Sequence, residues 1–236
     1  MAPRRFLPLT IALVVGLVAV AAQPREFRWA GDAEGGAPYV EADPSRPDRV
    51  IGFDVEVAGL LARAFGRAPR FVNVTFYALD QSIARGDADI GLSGVEDTST
   101  RRAAFALTLP YYRFREVLSV RDADATRFHT LADLRGRRVG TLAGTIAYEI
   151  LLTAQAAYGV RPVSYEDDVH PYSDLLLGRV DAVLLDNVLA ERRTRTESGF
   201  TIQPRSVAVG HYVGMFAPAN AALRDQANEV LRGAMR

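Results

Sequence analysis

The chain has 236 residues, 49% hydrophobic and 24% charged, enough for one large domain or two small ones with an ample core. Its 28 basic and 28 acidic side chains cancel, so no global field recruits nucleic acid or an anionic membrane. Every basic residue is arginine and cysteine is absent, which excludes Schiff-base lysines, a P-loop lysine, disulfides, thiol nucleophiles and thiolate metal sites.

The N-terminus reads as a targeting segment. Arg4 and Arg5 precede a charge-free apolar run of 17 residues, Phe6 to Ala22. Small residues at Ala19-Val20-Ala21-Ala22 suit cleavage after Ala21 or Ala22, the pattern of a secretory signal. An uncleaved anchor is the alternative, although the run is slightly short for a spanning helix. Either way the remainder is expected to be exported.

Phe27 to Ala30 is a short strand candidate, with Trp29 assigned to the core. The loop Gly31 to Tyr39 carries Asp32 and Glu34 among small residues, a composition that wraps a ligand or makes a surface turn. Val57 to Phe65 has helical spacing and Gly66 ends it. Arg70 to Val74 is a strand, Phe76 and Tyr77 follow, and Leu79 to Arg85 is a helix stopped by Gly86.

Asp89 to Arg101 organises the chain. It starts as a buried apolar strand and turns polar, with Glu96, Asp97, several hydroxyls and Arg101. Strand ends that open into polar loops are where α/β sheets bind ligands. Gly94 permits close approach of backbone, and Arg101 offers a fork suited to a carboxylate. A plain helix start, capped by Asp97 or Thr98, is the competing reading.

The second half repeats this grammar. Val117 to Val120, Arg138 to Leu142, Val163 to Tyr165 and Asp181 to Leu185 read as strands. Ala147 to Ala157, Ser173 to Leu177 and Val188 to Arg195 read as helices. His211 to Ala217 is a returning strand and Ala221 to Met235 an amphipathic terminal helix. Such alternation predicts an α/β fold with a mostly parallel sheet in each of two lobes. Three strand tips, Gly94 to Arg101, Gly144-Thr145 and Asp186, then converge on a cleft if the lobes face each other.

These segments together resemble exported solute-binding proteins of the polar amino-acid class, the periplasmic component of ABC importers (solute-binding family 3). The resemblance runs from about Phe27 to the end. Its carriers are GFDVEVAGLLARAFG (Gly52 to Gly66), ARGDADIGLSG (Ala84 to Gly94), Thr100-Arg101 and PYY (Pro110 to Tyr112). LADLRGRRVGTLAGT (Leu131 to Thr145) and GRVDAVLLD (Gly178 to Asp186) complete the set. It implies the two-lobe, type II periplasmic binding protein-like fold, with two hinge crossings near Tyr111 to Glu116 and His211 to Phe216. After a signal peptide at 1–22, lobe 1 would comprise 23–115 and 212–236, and lobe 2 would comprise 116–211.

By position, Arg101 would grip a ligand carboxylate, helped by backbone at Gly94 and by Gly144 and the N–H and hydroxyl of Thr145. Asp186 would take the ammonium. Phe76 would lie over the ligand, with Tyr39 as a second wall. Phe76 as core and Asp186 as a helix cap are the alternatives. The resemblance further implies a monomer, a small-molecule ligand and an ABC permease as partners, no nucleic acid, and no cofactor or metal.

Two departures stand out. Glu96 replaces the Ser or Thr usual two positions after the binding glycine, and Asp32 and Glu34 lie in a loop that contacts the ligand side chain in relatives. They point to a ligand with extra positive charge, a basic amino acid or a related amine or guanidino compound. Pairing of Glu96 with Arg101 or Arg102 at the surface is the competing reading. Relatives also continue past the terminal helix with a further short segment.

Two rival functions share the fold: an exported dehydratase using Glu96, His170 or Tyr172, and the sensing domain of a membrane receptor.

Overall fold

The computed structural model describes residues 25–235. The proposed signal segment lies outside them.

The first lobe begins with β1 (Glu26–Gly31), the hairpin β2 (Glu41–Asp43) and β3 (Arg46–Ile51), and α1 (Phe53–Ala64). It continues through β4 (Ala68–Asn73), α2 (Leu79–Arg85), β5 (Ile90–Gly91), α3 (Ser99–Ala104) and β6 (Ala106–Leu107). The chain crosses on β7 (Tyr112–Arg121). The second lobe follows as β8 (Arg138–Leu142), α4 (Ile146–Tyr158), β9 (Arg161–Tyr165), α5 (His170–Leu176), β10 (Ala182–Asp186), α6 (Asn187–Thr196), β11 (Phe200–Ile202) and β12 (Ala208–Tyr212). The chain then returns to the first lobe as β13 (Met215–Phe216) and α7 (Ala221–Ala234).

The five-stranded sheet of the first lobe has the order β4-β1-β5-β13-β6, and the six-stranded sheet of the second runs β11-β7-β10-β8-β9, with β12 beside β7. The two-lobed α/β class is therefore as expected, but the sheets are mixed rather than mostly parallel. β1 pairs in parallel with β4 and β5, and β8 with β9 and β10. The strands nearest the crossings, β7, β11, β12, β13 and β6, make antiparallel pairs. The cause is topological: a chain that crosses over and comes back must enter beside its outgoing strand in the opposite direction. The returning strand expected over His211 to Ala217 is likewise two strands, β12 and β13, one in each sheet.

Each sheet buries both faces, so its central strands read as continuous apolar runs. All five residues of β10 are buried. Ala182 and Leu184 pack against Leu151 of α4, while Val183 and Leu185 join Tyr172 and Leu175 of α5. In the first lobe Phe27, Trp29 and Ile90 pack against Leu61 of α1 and Leu231 of α7. Leu79 and Ile83 of α2 cover the other face with Ala30 and Met215.

The two crossings lie side by side: Tyr112 is paired with Tyr212 and Arg113 with His211. Among the described residues no helix is long and apolar enough to cross a membrane.

Candidate functional site

The tips of β5, β8 and β10 meet in a cleft between the lobes. Its lining includes Tyr39, Phe76, Ser93 and Gly94 from the first lobe and Leu142, Thr145 and Leu189 from the second. Six carboxylates also line it: Asp32, Glu96, Glu166, Asp167, Asp168 and Asp186. No arginine stands among the described lining residues, and the chain has no lysine.

Asp54 builds the first-lobe floor. It is fully buried in the first turn of α1. Its Oδ2 accepts the N–H groups of Ser93 at 2.7 Å and Gly94 at 2.6 Å, and its Oδ1 accepts the Tyr111 hydroxyl at 2.9 Å. Burial pushes its carboxyl up, and the three donors oppose that shift. The grip holds Ser93 at φ 115°, a backbone region that non-glycine residues rarely occupy and that concentrates at ligand sites. Gly94 follows at φ 67°, and a Cβ there would stand 2.6 Å from Cε2 of Tyr39. Glycine is therefore required so that the Tyr39 ring can lie on the loop. The backbone donor role expected of Gly94 is corrected: its N–H is already given to Asp54.

Asp32 lines the cleft and organises its own loop. Its Oδ1 accepts the N–H groups of Glu34 and Gly35, and its Oδ2 accepts the N–H of Phe76 at 2.9 Å. Glu34 is exposed and lies outside the lining, because the loop turns about Asp32 and carries the next side chain away.

Arg101 is 97% buried beside the cleft, outside its described lining. Its Nε donates to both oxygens of Asp80, at 3.0 and 3.2 Å, and its Nη1 donates to the Glu96 carbonyl at 3.3 Å. Its guanidinium carbon sits 5.4 Å from the Phe76 ring centroid. Through Nε and Nη1 the fork braces Asp80 and the Glu96 backbone, and Nη2, on the Gly144 side, has no hydrogen-bond partner among the described residues. Thr98 caps α3 by accepting the Arg101 N–H.

In the second lobe Thr145 is the N-cap of α4. Its hydroxyl donates to the Leu142 carbonyl at 2.6 Å and accepts the Tyr148 N–H at 3.2 Å. The hydroxyl expected to reach a ligand is thus spent in its own turn. Gly144 is exposed and outside the described lining, close to Arg101.

Asp186 unites two readings. Its Oδ1 caps α6 by accepting the N–H groups of Val188 at 2.8 Å and Leu189 at 3.0 Å, and the residue also lines the cleft. Burial pushes its carboxyl up to about 6 against those hydrogen bonds. Tyr39 reaches it from the other lobe and also contacts the Tyr212 hydroxyl. Burial, and then the Asp186 charge, push the Tyr39 hydroxyl well up, so it stays protonated and donates.

Glu96 is 97% buried and does not pair with Arg101 or Arg102 through its carboxylate. Its Oε2 accepts the Ile146 N–H at 2.5 Å, across the cleft at the start of α4. Arg102 pairs instead with Asp97 at the surface. Burial first, then the charge on Asp186, push the Glu96 carboxyl up to about 8. Beside it Glu116 is wholly buried, with both carboxyl oxygens outside hydrogen-bond geometry. Burial, with Glu96 and Asp186 nearby, pushes it well up too.

Sequence reasoning missed Asp54, Glu116 and the lining role of Glu166 to Asp168. The run Glu166-Asp167-Asp168 directly after β9 was an available signal, since the ends of parallel strands face the cleft. His170 is exposed and pairs with Asp167 at 2.5 Å, and Tyr172 lies in the second-lobe core, so neither lines the cleft.

A family model for bacterial extracellular solute-binding proteins, family 3, matches residues 31–236. The histidine-binding periplasmic protein of Salmonella typhimurium is 31% identical over 199 residues, covering 84% of this chain and 72% of the relative. The ABC transporter arginine-binding protein 1 of Escherichia coli is 28% identical over 189 residues, covering 78% and 76%. Holo ArgBP from T. maritima has a similar structure, with a TM-score of 0.79 at 25% identity over 89% of this chain and 91% of that one.

Proposed function

Because this chain belongs to the bacterial extracellular solute-binding proteins, family 3, we propose that it captures a small cationic amino compound between its lobes and delivers it to an ABC importer. The ligand class is a basic amino acid or a related amine or guanidino compound. One observation carries this reading: six carboxylates and no arginine among the described lining residues of the cleft. A cation entering such a site gains charge-assisted hydrogen bonds to its carboxylates. The arginine-binding and histidine-binding relatives support the same class.

Asp186 is the central acceptor, with Glu96 near it, and Phe76 and Tyr39 supply aromatic faces for the cation or its stem. Asp32, Gly94 and Arg101 shape the wall. Lobe 1 (23–115 and 212–236) closes on lobe 2 (116–211) about the crossings at Tyr111 to Glu116 and His211 to Phe216. A ligand touching both lobes binds the closed state better and shifts the population toward it. A binding protein is favoured over a dehydratase because, of the three acid–base candidates, His170 and Tyr172 lie off the cleft and Glu96 alone lines it.

Calorimetry against arginine, lysine, ornithine, histidine, their amines and glutamate tests this. Binding of one or more cations and none of glutamate is expected. Tight binding of glutamate with none of the cations overturns it.

A further inference from the structure

Resting on that reading, we propose that Arg193 is a positioning residue. From α6 it holds Asp168 as the acceptor for a second cationic group, so the cleft prefers a ligand with one cationic group for Asp186 and another at its far end.

The sheet separates the two acceptors. β10, β8 and β9 are parallel neighbours in that order. Asp186 ends β10 and the run Glu166-Asp167-Asp168 follows β9, so both leave the same end of the sheet two strand spacings, roughly 10 Å, apart. Leu142, at the tip of β8 between them, gives the cleft an apolar stretch for the stem of a long ligand.

Of the three carboxylates in the run, Asp168 best suits the task. Glu166 is exposed. Asp167 is engaged in its own turn, where it accepts the N–H groups of Val169 and His170 at 2.8 and 2.9 Å and contacts the His170 ring. Asp168 is 4% exposed and lines the cleft. A charge so little exposed is weakly screened, which strengthens its pull on a ligand cation and raises its own cost of burial.

Arg193 offsets that cost. It is 9% exposed, outside the described lining, and on the helix that Asp186 caps. Its Nη1 donates to Glu197 at 3.1 Å, and its Nη2 comes within 3.5 Å of Asp168 Oδ2. The second contact is an ion pair longer than a hydrogen bond, so it favours the charged carboxylate without filling its lone pairs. Burial pushes the Asp168 carboxyl up, and Arg193 first, then Arg192 on the same helix, oppose this. Asp167 in its own loop and Tyr172 on α5 also lie near it.

Titration calorimetry on the full folded chain tests this with pairs that differ at the far end: lysine with norleucine, arginine with citrulline, and putrescine with butylamine. In any pair that binds, the partner with the far cation should bind roughly tenfold or more tightly, the worth of a charged hydrogen bond. Asp168→Asn should bring the two partners close to equal affinity. Arg193→Gln should shrink the ratio and make it fade at higher pH on acidification, and Arg193→Lys should restore both in part. A purely structural brace would alter stability and leave the ratio and its pH midpoint in place. An unchanged ratio in folded Asp168→Asn, or in folded Arg193→Gln, overturns the proposal and leaves the cationic-ligand reading standing. Binding of none of the six compounds overturns both. If Arg193→Gln does not fold, Arg193→Lys against Asp168→Asn still decides the question: a ratio unchanged in both overturns the proposal.

Discussion

The Tyr39 hydroxyl donates at 3.3 Å to the same Asp186 oxygen that caps α6, so one carboxylate joins the two lobes and anchors a helix. The two roles separate by substitution. Asp186→Asn keeps an oxygen for the cap but removes the charge. Its cation affinity should fall by about 2–3 kcal/mol, the worth of a charged hydrogen bond, with little change in melting temperature. Asp186→Ala should lose the same affinity and about 1 kcal/mol of stability with the cap. Calorimetry and thermal melts together read both, and unchanged binding by Asp186→Asn removes Asp186 from the site.

Glu96 makes the protein sensitive to pH. Its folded carboxyl is pushed from 4.5 to about 8, chiefly by burial and by Asp186. A folded value above the unfolded one gives stability that is full below the unfolded value and lost as pH rises through the folded value. The ligand-free chain should therefore melt lower at about pH 9 than at about pH 6. A cation favours the ionised carboxylate, so binding should release protons in the same interval and tighten as pH rises. Calorimetry in buffers of different ionisation enthalpy measures the release, and Glu96→Gln should flatten both trends.

Asp54 never touches the ligand in the proposed scheme, yet the loop depends on it. Asp54→Ala strands two buried N–H groups and the Tyr111 hydroxyl. The expected cost is about 3–5 kcal/mol, from urea denaturation, with binding lost as Ser93 relaxes from its strained backbone.

Arg101→Ala should act through the wall rather than through a direct ligand contact. Removing the guanidinium takes away the brace under Phe76 and the partner of Asp80, and should cost about 2–4 kcal/mol of stability. Arg101→Lys should rescue poorly, since an ammonium cannot chelate Asp80 and lie flat on a ring together. Arg102→Ala, at an exposed pair, should leave melting and binding nearly unchanged. A larger binding loss for Arg101→Ala than for Asp186→Asn, at equal stability, argues for direct contact.

Much of the architecture was legible because it is written in consecutive residues. The helical spacing of Leu79 to Arg85 and the apolar run Ala182 to Leu185 each specify an element without outside help. The hairpin β2–β3 was illegible because β3 is largely exposed and neither strand carries a regular apolar alternation. The mixed strand directions were hidden as well, because direction follows from where a chain returns.

The convergence of Gly94, Thr145, Glu96 and Asp186 on one cleft followed from strand tips, a local feature repeated in both halves. The acidic departure at Glu96 was also visible in the residues alone. The destination of each polar group was not. Glu96 meets Ile146 fifty residues on, Gly94 meets Asp54 forty residues back, and Arg101 meets Asp80 twenty-one residues back. Spacing along the chain sets which side chains turn inward. Which donors stay free for a ligand is settled by partners brought near only when the lobes fold and meet, since a hydrogen bond is won by proximity in space.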